Sequence, residues 1–418
     1  MIGSPPRGDN AKGSLHWHYD MRLLVLGMLL SAIMAPIAAA DVQWEEDGWL
    51  ATIGKERLNH GDEFGCYGMP GLSWKADPGA VALECKNYVE QRIDASNWGA
   101  NVISTFTPSS LTSSQHTTVA NQGFTVHGDD NDLMEGAWYS AENVPEWEYS
   151  WHDLGRRGGS LERGMADADV LSAELDQGGL VNMYWIGRVD DVTIRHEASV
   201  VDMLNERTDV WFTTWGEAYS YWTVERCNQF SHSLENDVLI FEHTDTEACR
   251  AAAPDAWNVP VTWEIEIGNT SVISSEFKEM DVSESKTMEG WRQEGSILYV
   301  SVLRGHEVIF NLSSSPEYDI LGRTQFFNNK DAALTIAGHS TTDLFQWSKR
   351  FDGQEKLVFT WLLSPRALDE GIPWLPYAGL AVLTTTLGGI WLVLRRESMA
   401  MPIAKPSSPE QRGGDDDE

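Results

Sequence analysis

The sequence predicts a mainly β protein, an antiparallel β-sandwich ectodomain of two β domains with the membrane-proximal one immunoglobulin-like, followed by one C-terminal transmembrane helix. Three observations predict it. Short runs rich in β-branched and aromatic residues alternate with polar positions and are separated by Gly, Asn, Asp and Ser. All four cysteines fall between two apolar runs, an even number in a segment that reads as exported. The second apolar run, residues 372–394, contains no charge and is followed at once by Arg395-Arg396.

From the N-terminus, residues 1–20 are polar and read as a non-native or disordered extension. Residues 21–40 carry one positive charge at Arg22, an apolar core broken by Pro36, and small residues in the Ala38-x-Ala40 pattern. That is the form of a secretory signal peptide. Residues 41–253 read as a large Trp-rich β domain with two disulfides. The small, Pro-containing Ala251–Asp255 stretch marks a boundary, and 254–368 then carries short cysteine-free strands suited to a membrane-proximal sandwich. Within 372–394, Trp374, Tyr377 and Trp391 lie near the ends, where amphipathic rings favour the interface. The tail 395–418 is polar and reads as disordered and cytoplasmic. The localisation that follows is a plasma membrane protein with its N-terminal ectodomain outside and the lipid bilayer as a partner through the C-terminal helix.

The strands named by this reading are 180–186, 210–215, 219–224, 238–241, 261–267, 297–303, 308–312 and 357–363. One helix is expected over 160–176, where Leu161, Met165, Ala168, Leu171 and Leu175 recur at near-helical spacing before Gly178-Gly179.

Charge excludes one class of partner. The chain has 30 Lys+Arg against 63 Asp+Glu, a net −33. With the 8 acids and 7 bases outside residues 41–370 set aside, 55 acids face 23 bases in the ectodomain. Phosphate backbones are repelled by such a field, so nucleic acid is not a partner, while cations and basic proteins are favoured.

Four cysteines allow three pairings. Cys66–Cys85 and Cys227–Cys249 are preferred because each closes a short local loop. Zinc is disfavoured because no C-x₂-C spacing occurs.

Tryptophan is the compositional oddity, with 19 in the chain. Trp185, Trp211, Trp215, Trp222, Trp263 and Trp361 sit inside alternating strands and read as core. Trp138, Tyr139, Trp147, Tyr149 and Trp151 lie instead in a Pro/Gly/acid-rich stretch and are candidate binding residues for an extracellular glycan or protein. Asp129, Asp130, Asp132 and Glu135 concentrate oxygen ligands beside Gly128, the pattern a calcium ion needs. Their spacing departs from an EF-hand, and a solvated acidic turn is the plainer explanation, so no cofactor is expected, with calcium at this loop the alternative. His60-x-Asp62-Glu63 and His152-Asp153 bring imidazole beside carboxylate, yet neighbours on a strand point to opposite faces, so neither is a site alone. Asp167-x-Asp169 and Asp190-Asp191 are weaker acidic pairs. Asn269-Thr270-Ser271 and Asn311-Leu312-Ser313 are glycosylation sequons. No HExxH, GxSxG, GxGxxG or Walker loop is present.

These features predict a non-enzymatic cell-surface protein that binds glycan, protein or envelope material. The alternatives are a membrane-anchored extracellular hydrolase acting on polysaccharide through paired carboxylates, and an accessory subunit of a membrane complex.

Overall fold

The computed structural model describes residues 48–94, 96–99, 101–129, 152–153, 167–187, 198–340, 348, 351, 353–365 and 374–400. Residues 43–367 make one compact unit and the two chain ends the other. In chain order the first unit's elements begin with α1 (Gly48–His60), β1 (Glu63–Cys66), α2 (Pro78–Glu90), β2 (Ser104–Thr107), α3 (Ser113–Ala120) and β3 (Val126–Asp129). They continue with β4 (His152–Asp153), α4 (Ala168–Asp176), β5 (Gly179–Gly187), α5 (Ala198–Glu206), β6 (Val210–Thr213) and α6 (Trp215–Cys227). A β-rich stretch follows: β7 (Asn228–Glu235), β8 (Val238–Asp245), α7 (Glu247–Ala252), β9 (Val261–Glu266), β10 (Val272–Ser275) and β11 (Gly290–Glu294). It runs on through β12 (Ile297–Val302), β13 (Glu307–Leu312) and β14 (Asp319–Arg323), and β15 (Ala332–Ser340) and β16 (Phe359–Leu363) close the unit. The other unit holds α8 (Leu375–Ala400).

The predicted mainly β, antiparallel sandwich is corrected. The largest sheet has eight strands in the order β4-β3-β2-β1-β16-β15-β5, with β6 also on β15, a half-barrel in which every pairing is parallel. The strand residues were legible, but period and composition do not report strand direction, and the crossover helices that a parallel sheet requires were not recognised. β16 reads as an unbroken buried run, as strands covered on both faces do. Antiparallel pairing does occur, in two four-stranded sheets of orders β10-β13-β8-β7 and β11-β12-β9-β14.

Two cores sandwich the parallel sheet. On one face α1, α2, α4 and α5 pack Leu58, Val81, Val89, Leu171, Leu175 and Leu204 against Phe64, Trp361, Leu334 and Ile336. On the other, Leu180, Ala333, Ala337 and Leu362 meet Trp211, Trp215 and Tyr221, and beyond these Phe241, Val261, Val300 and Phe310 of the antiparallel sheets. Trp211, Trp215 and Trp361 are fully buried and Trp222 and Trp263 nearly so, as core residues.

Local chemistry explains helices that periodicity hid. α2 starts where the Asp77 carboxylate accepts from the Ala80 amide, with Pro78 at the first turn. α3 starts with a reciprocal capping box between Thr112 and Gln115. α4 is capped by Asp167 and so begins later than the expected 160–176; residues 160–166 lie outside the described residues. The expected strand 219–224 is instead the middle of α6, whose start is argued below.

Cys66 and Cys85 form a disulfide that joins β1 to α2, both cysteines being fully buried. The side chains of Cys227 and Cys249 lie outside those described. Closing a loop of sequence separation 19 is expected to stabilise by about 2–4 kcal/mol in the chain-entropy picture. Comparing urea midpoints of the wild type and a Cys66→Ser/Cys85→Ser variant checks this, and an unchanged midpoint would show that the link adds nothing to packing already in place.

The membrane reading is also corrected. Among the described residues no helix is long and apolar enough to cross a membrane, so the single-pass assignment and the plasma membrane localisation built on it are not supported. The run that suggested a span is interrupted in α8 by Pro376, Gly379, three threonines and Gly388-Gly389. The Thr384, Thr385 and Thr386 hydroxyls donate back to carbonyls of the preceding turn.

Candidate functional site

Glu63 opens β1 and faces the second core, opposite to Phe64 on the helix-covered face. Its partner is the start of α6. Thr214 precedes that helix and Glu217 follows three residues later: the Glu217 amide donates to Thr214 Oγ1 and the Thr214 amide donates to Glu217 Oε2, each at 3.3 Å. This capping box fixes the Glu217 carboxyl, which also accepts from Thr213 Oγ1 at 3.0 Å. The Trp215 amide donates to Thr360 Oγ1 of β16 at 3.0 Å, and the Trp215 indole donates to Asn182 of β5 at 2.9 Å. Pinned this way, the helix start presents the Gly216 amide to Glu63 Oε2 at 2.7 Å.

Two carboxyls therefore meet the N-terminus of one helix, both almost without solvent contact. Burial pushes the Glu63 carboxyl up to about 7, with the Ser104 hydroxyl, the Gly216 amide and the Thr214 and Thr360 hydroxyls favouring ionisation less strongly. Burial raises Glu217 further, to about 8; Thr213 and the Thr214 amide oppose, Glu63 adds to the rise and Lys286 counters it. Lys286 donates its Nζ to the His60 carbonyl.

These carboxyls retain protons in the folded chain at a pH where exposed ones, near 4.5, have lost them. The folded state binds more protons between those values, so their contribution to stability is complete at the acidic end and declines as pH rises from about 5 to 8. His60 and His116 act the other way, because burial lowers both below 6.5. The expected result is a urea midpoint that falls between pH 5 and 8, and a Glu63→Gln/Glu217→Gln variant in which the slope reverses. A variant that keeps the falling slope would place its origin elsewhere.

Glu63 also forms part of the wall of a cavity of about 370 Å³. Leu58 of α1, Phe64, Val89 of α2, Ile93, Val102 and Trp257 supply apolar walls, and Glu90, Asp94, Ser96 and Asn101 the remaining polar groups. Trp257 is held by its amide, which donates to Ser220 Oγ of α6 at 2.8 Å. Two close approaches need glycine: a Cβ on Gly99 would lie 2.4 Å from the Trp257 ring, and one on Gly216 would lie 2.1 Å from it. Glu63 Oε1 and Trp257 Nε1 are both buried without a hydrogen-bond partner. A cavity of this size with apolar walls and a few polar groups suits a small ligand.

The motif His60-x-Asp62-Glu63 is taken apart by the fold. His60 bonds the Leu357 carbonyl. Asp62 accepts from Arg57, Phe359 and Trp361. Glu63 alone reaches the cavity. Trp138, Tyr139, Trp147, Tyr149 and Trp151 lie outside the described residues, as do Asp130, Asp132 and Glu135 of the calcium loop and the Asp190-Asp191 pair. Asp129 ends β3, with its side chain outside those described, and His127 is turned to His116 of α3 at 2.8 Å between their Nδ1 atoms. Among the described residues no group of three or more His, Cys, Asp or Glu is arranged to hold a metal ion. Trp257 and Glu217 were missed as site residues. The Thr214-x-x-Glu217 spacing was the available signal for the second; only the fold brings the first to Glu63.

No family model matches the chain, and neither a curated protein nor a solved structure matches it.

Proposed function

We propose that the chain is a binding protein for a small ligand taken into the cavity beside Glu63. One observation carries the reading: Glu63 and Trp257, two nearly inaccessible side chains that each hold a polar atom without a hydrogen-bond partner, both line the same cavity. The cavity's size falls within the range of small-molecule sites, and its mix of apolar walls with a few polar groups is their usual chemistry. It lies where β1 and β2 begin, whereas ligands of open parallel sheets usually bind beyond the strands' carboxyl ends. The reading therefore rests on the chemistry of the walls.

The test is a thermal-shift and tryptophan-fluorescence screen of small polar metabolites. A hit that raises the melting temperature of the wild type and is lost in Ser96→Trp, which places a ring at the rim, supports the reading. A screen without hits, or hits that Ser96→Trp leaves intact, counts against it. A second reading, acid–base chemistry on the bound ligand, is favoured by Glu63 holding its proton up to about 7 beside Glu217. Turnover of a hit compound, with a rate that falls as Glu63 ionises, distinguishes it from binding alone.

A further inference from the structure

We propose that Asn269 is the main acceptor of an N-linked oligosaccharide in this chain, selected over Asn311 by its place in the fold. Both residues head an Asn-x-Ser sequon, Asn269-Thr270-Ser271 and Asn311-Leu312-Ser313. The fold brings the two tripeptides side by side at the start of β10 and the end of β13. The Ser271 amide donates to Ser313 Oγ at 3.1 Å, and the Ser313 amide donates to the Ser271 carbonyl at 2.9 Å. The two sites therefore share one surface and differ only in backbone setting.

Asn269 sits in the turn between β9 and β10. Gly268, at φ +61°, bends the chain there, and the Thr270 amide donates to the Ile267 carbonyl at 3.4 Å to close the turn. Asn269 and Ser271 are both exposed, while Thr270 between them is buried and anchored by its hydroxyl on Ser314 Oγ at 2.5 Å. The tripeptide thus presents to solvent the amide and the hydroxyl that a sequon supplies.

Asn311 is exposed too, but it belongs to an inner strand. It is opposite Ser274 of β10 on one side and Val238 of β8 on the other, and its Nδ2 donates to Ser274 Oγ at 2.9 Å. Both partner strands precede β13 in the chain, so it can pair as soon as it is made. Freeing the Asn311 tripeptide costs two ladders and that side-chain bond; presenting Asn269 costs none of them.

The compartment is supported independently. Cys66 and Cys85 are joined, and disulfides persist where the surroundings are oxidising, the side of a membrane on which sequons are read. The donor is a lipid-phosphate-linked oligosaccharide. Asn269 Nδ2 forms a bond to the anomeric carbon, the bond from that carbon to the phosphate oxygen breaks, and the lipid phosphate leaves with the electron pair. The amide proton passes to a base of the transferring enzyme. The product suits its site: β10 is an end strand of its sheet and carries the exposed Ile273, and a bulky hydrophilic group beside it keeps other strands from pairing there.

The experiment expresses the full chain in a eukaryotic host behind a fused secretion leader, so that delivery does not depend on residues 21–40. Chains from which the leader has been removed are treated with an amidase that releases N-glycans and turns each occupied Asn into Asp, and both sequon peptides are quantified by mass spectrometry. The expected occupancy at Asn269 is at least five-fold that at Asn311. Asn269→Gln and Ser271→Ala are each expected to abolish modification of that peptide, whereas Ser271→Thr, which restores the hydroxyl, keeps it. These exposed positions leave the melting temperature within a few degrees of the wild type's when the glycan is removed. An unmodified wild type, equal occupancy of the two asparagines, or a glycan found mainly on Asn311 overturns the proposal.

Discussion

Asp62→Ala is expected to destabilise the protein by about 3–5 kcal/mol, the cost of stranding a buried charge. The Asp62 carboxylate is fully buried and accepts from Arg57 Nε at 2.6 Å, Trp361 Nε1 at 2.7 Å and the Phe359 amide at 3.0 Å. Removing it leaves Arg57 charged and about 5% exposed, with its Nη2 already lacking a partner, over the rings of Phe359 and Trp361. It also detaches the end of α1 from β16, the strand on which β1 pairs. Urea denaturation at neutral pH measures the effect. Asp62→Asn keeps an acceptor and is expected to cost less than the alanine variant. A cost below about 1 kcal/mol for Asp62→Ala would show Arg57 regaining solvent, as exposed pairs allow.

Gly216→Val is expected to cost more than about 3 kcal/mol, beyond the usual range for overpacking. Two effects compete at this position. Helix propensity favours most residues over glycine by a few tenths to about 1 kcal/mol. Against it stands contact: a Cβ would lie 2.1 Å from Trp257 Cη2 and 2.5 Å from Glu63 Oε2, and neither can retreat easily from a buried wall. Sterics win, so the sign of the change is the informative quantity. A melting temperature that rises in the smaller Gly216→Ala variant would mean that propensity dominates and that Trp257 moves freely. A fall would confirm that the helix start, the indole and the carboxyl are packed as one piece.

Much of the strand content was visible in the residues, and the architecture was not. β5, β8, β9, β12, β13 and β16 lie on apolar or alternating runs that were read as strands. Their directions were hidden because a parallel strand and an antiparallel one can share a sequence, and the difference lies in what connects them. The connections carried their own signals: Asp77-Pro78, Thr112-x-x-Gln115 and Thr214-x-x-Glu217 are helix starts written in three or four residues. Tyr219–Val224 read as a strand because its aromatic residues alternate, yet the capping box just upstream commits the chain to α6. Glu63 was noticed only as one member of a histidine–acid motif. Its importance comes from Gly216, 153 positions away, and from Trp257, neither of which local spacing connects to it.

The placement of β16 has a consequence for biosynthesis. β1 lies between β2 and β16, and its register sets Glu63 against Thr360. As the chain leaves the ribosome at roughly 5–20 residues per second, β1 emerges long before the strand that completes its far side. For that interval β1 has an open edge, and two of the three donors to Asp62, the Phe359 amide and the Trp361 indole, are not yet synthesised. A chain stopped before Phe359 would lack β16 altogether, leaving β1 and β15 with no strand between them. The last strand of this unit is thus the one that joins its two halves, and early intermediates are a target for chaperones or a source of aggregation.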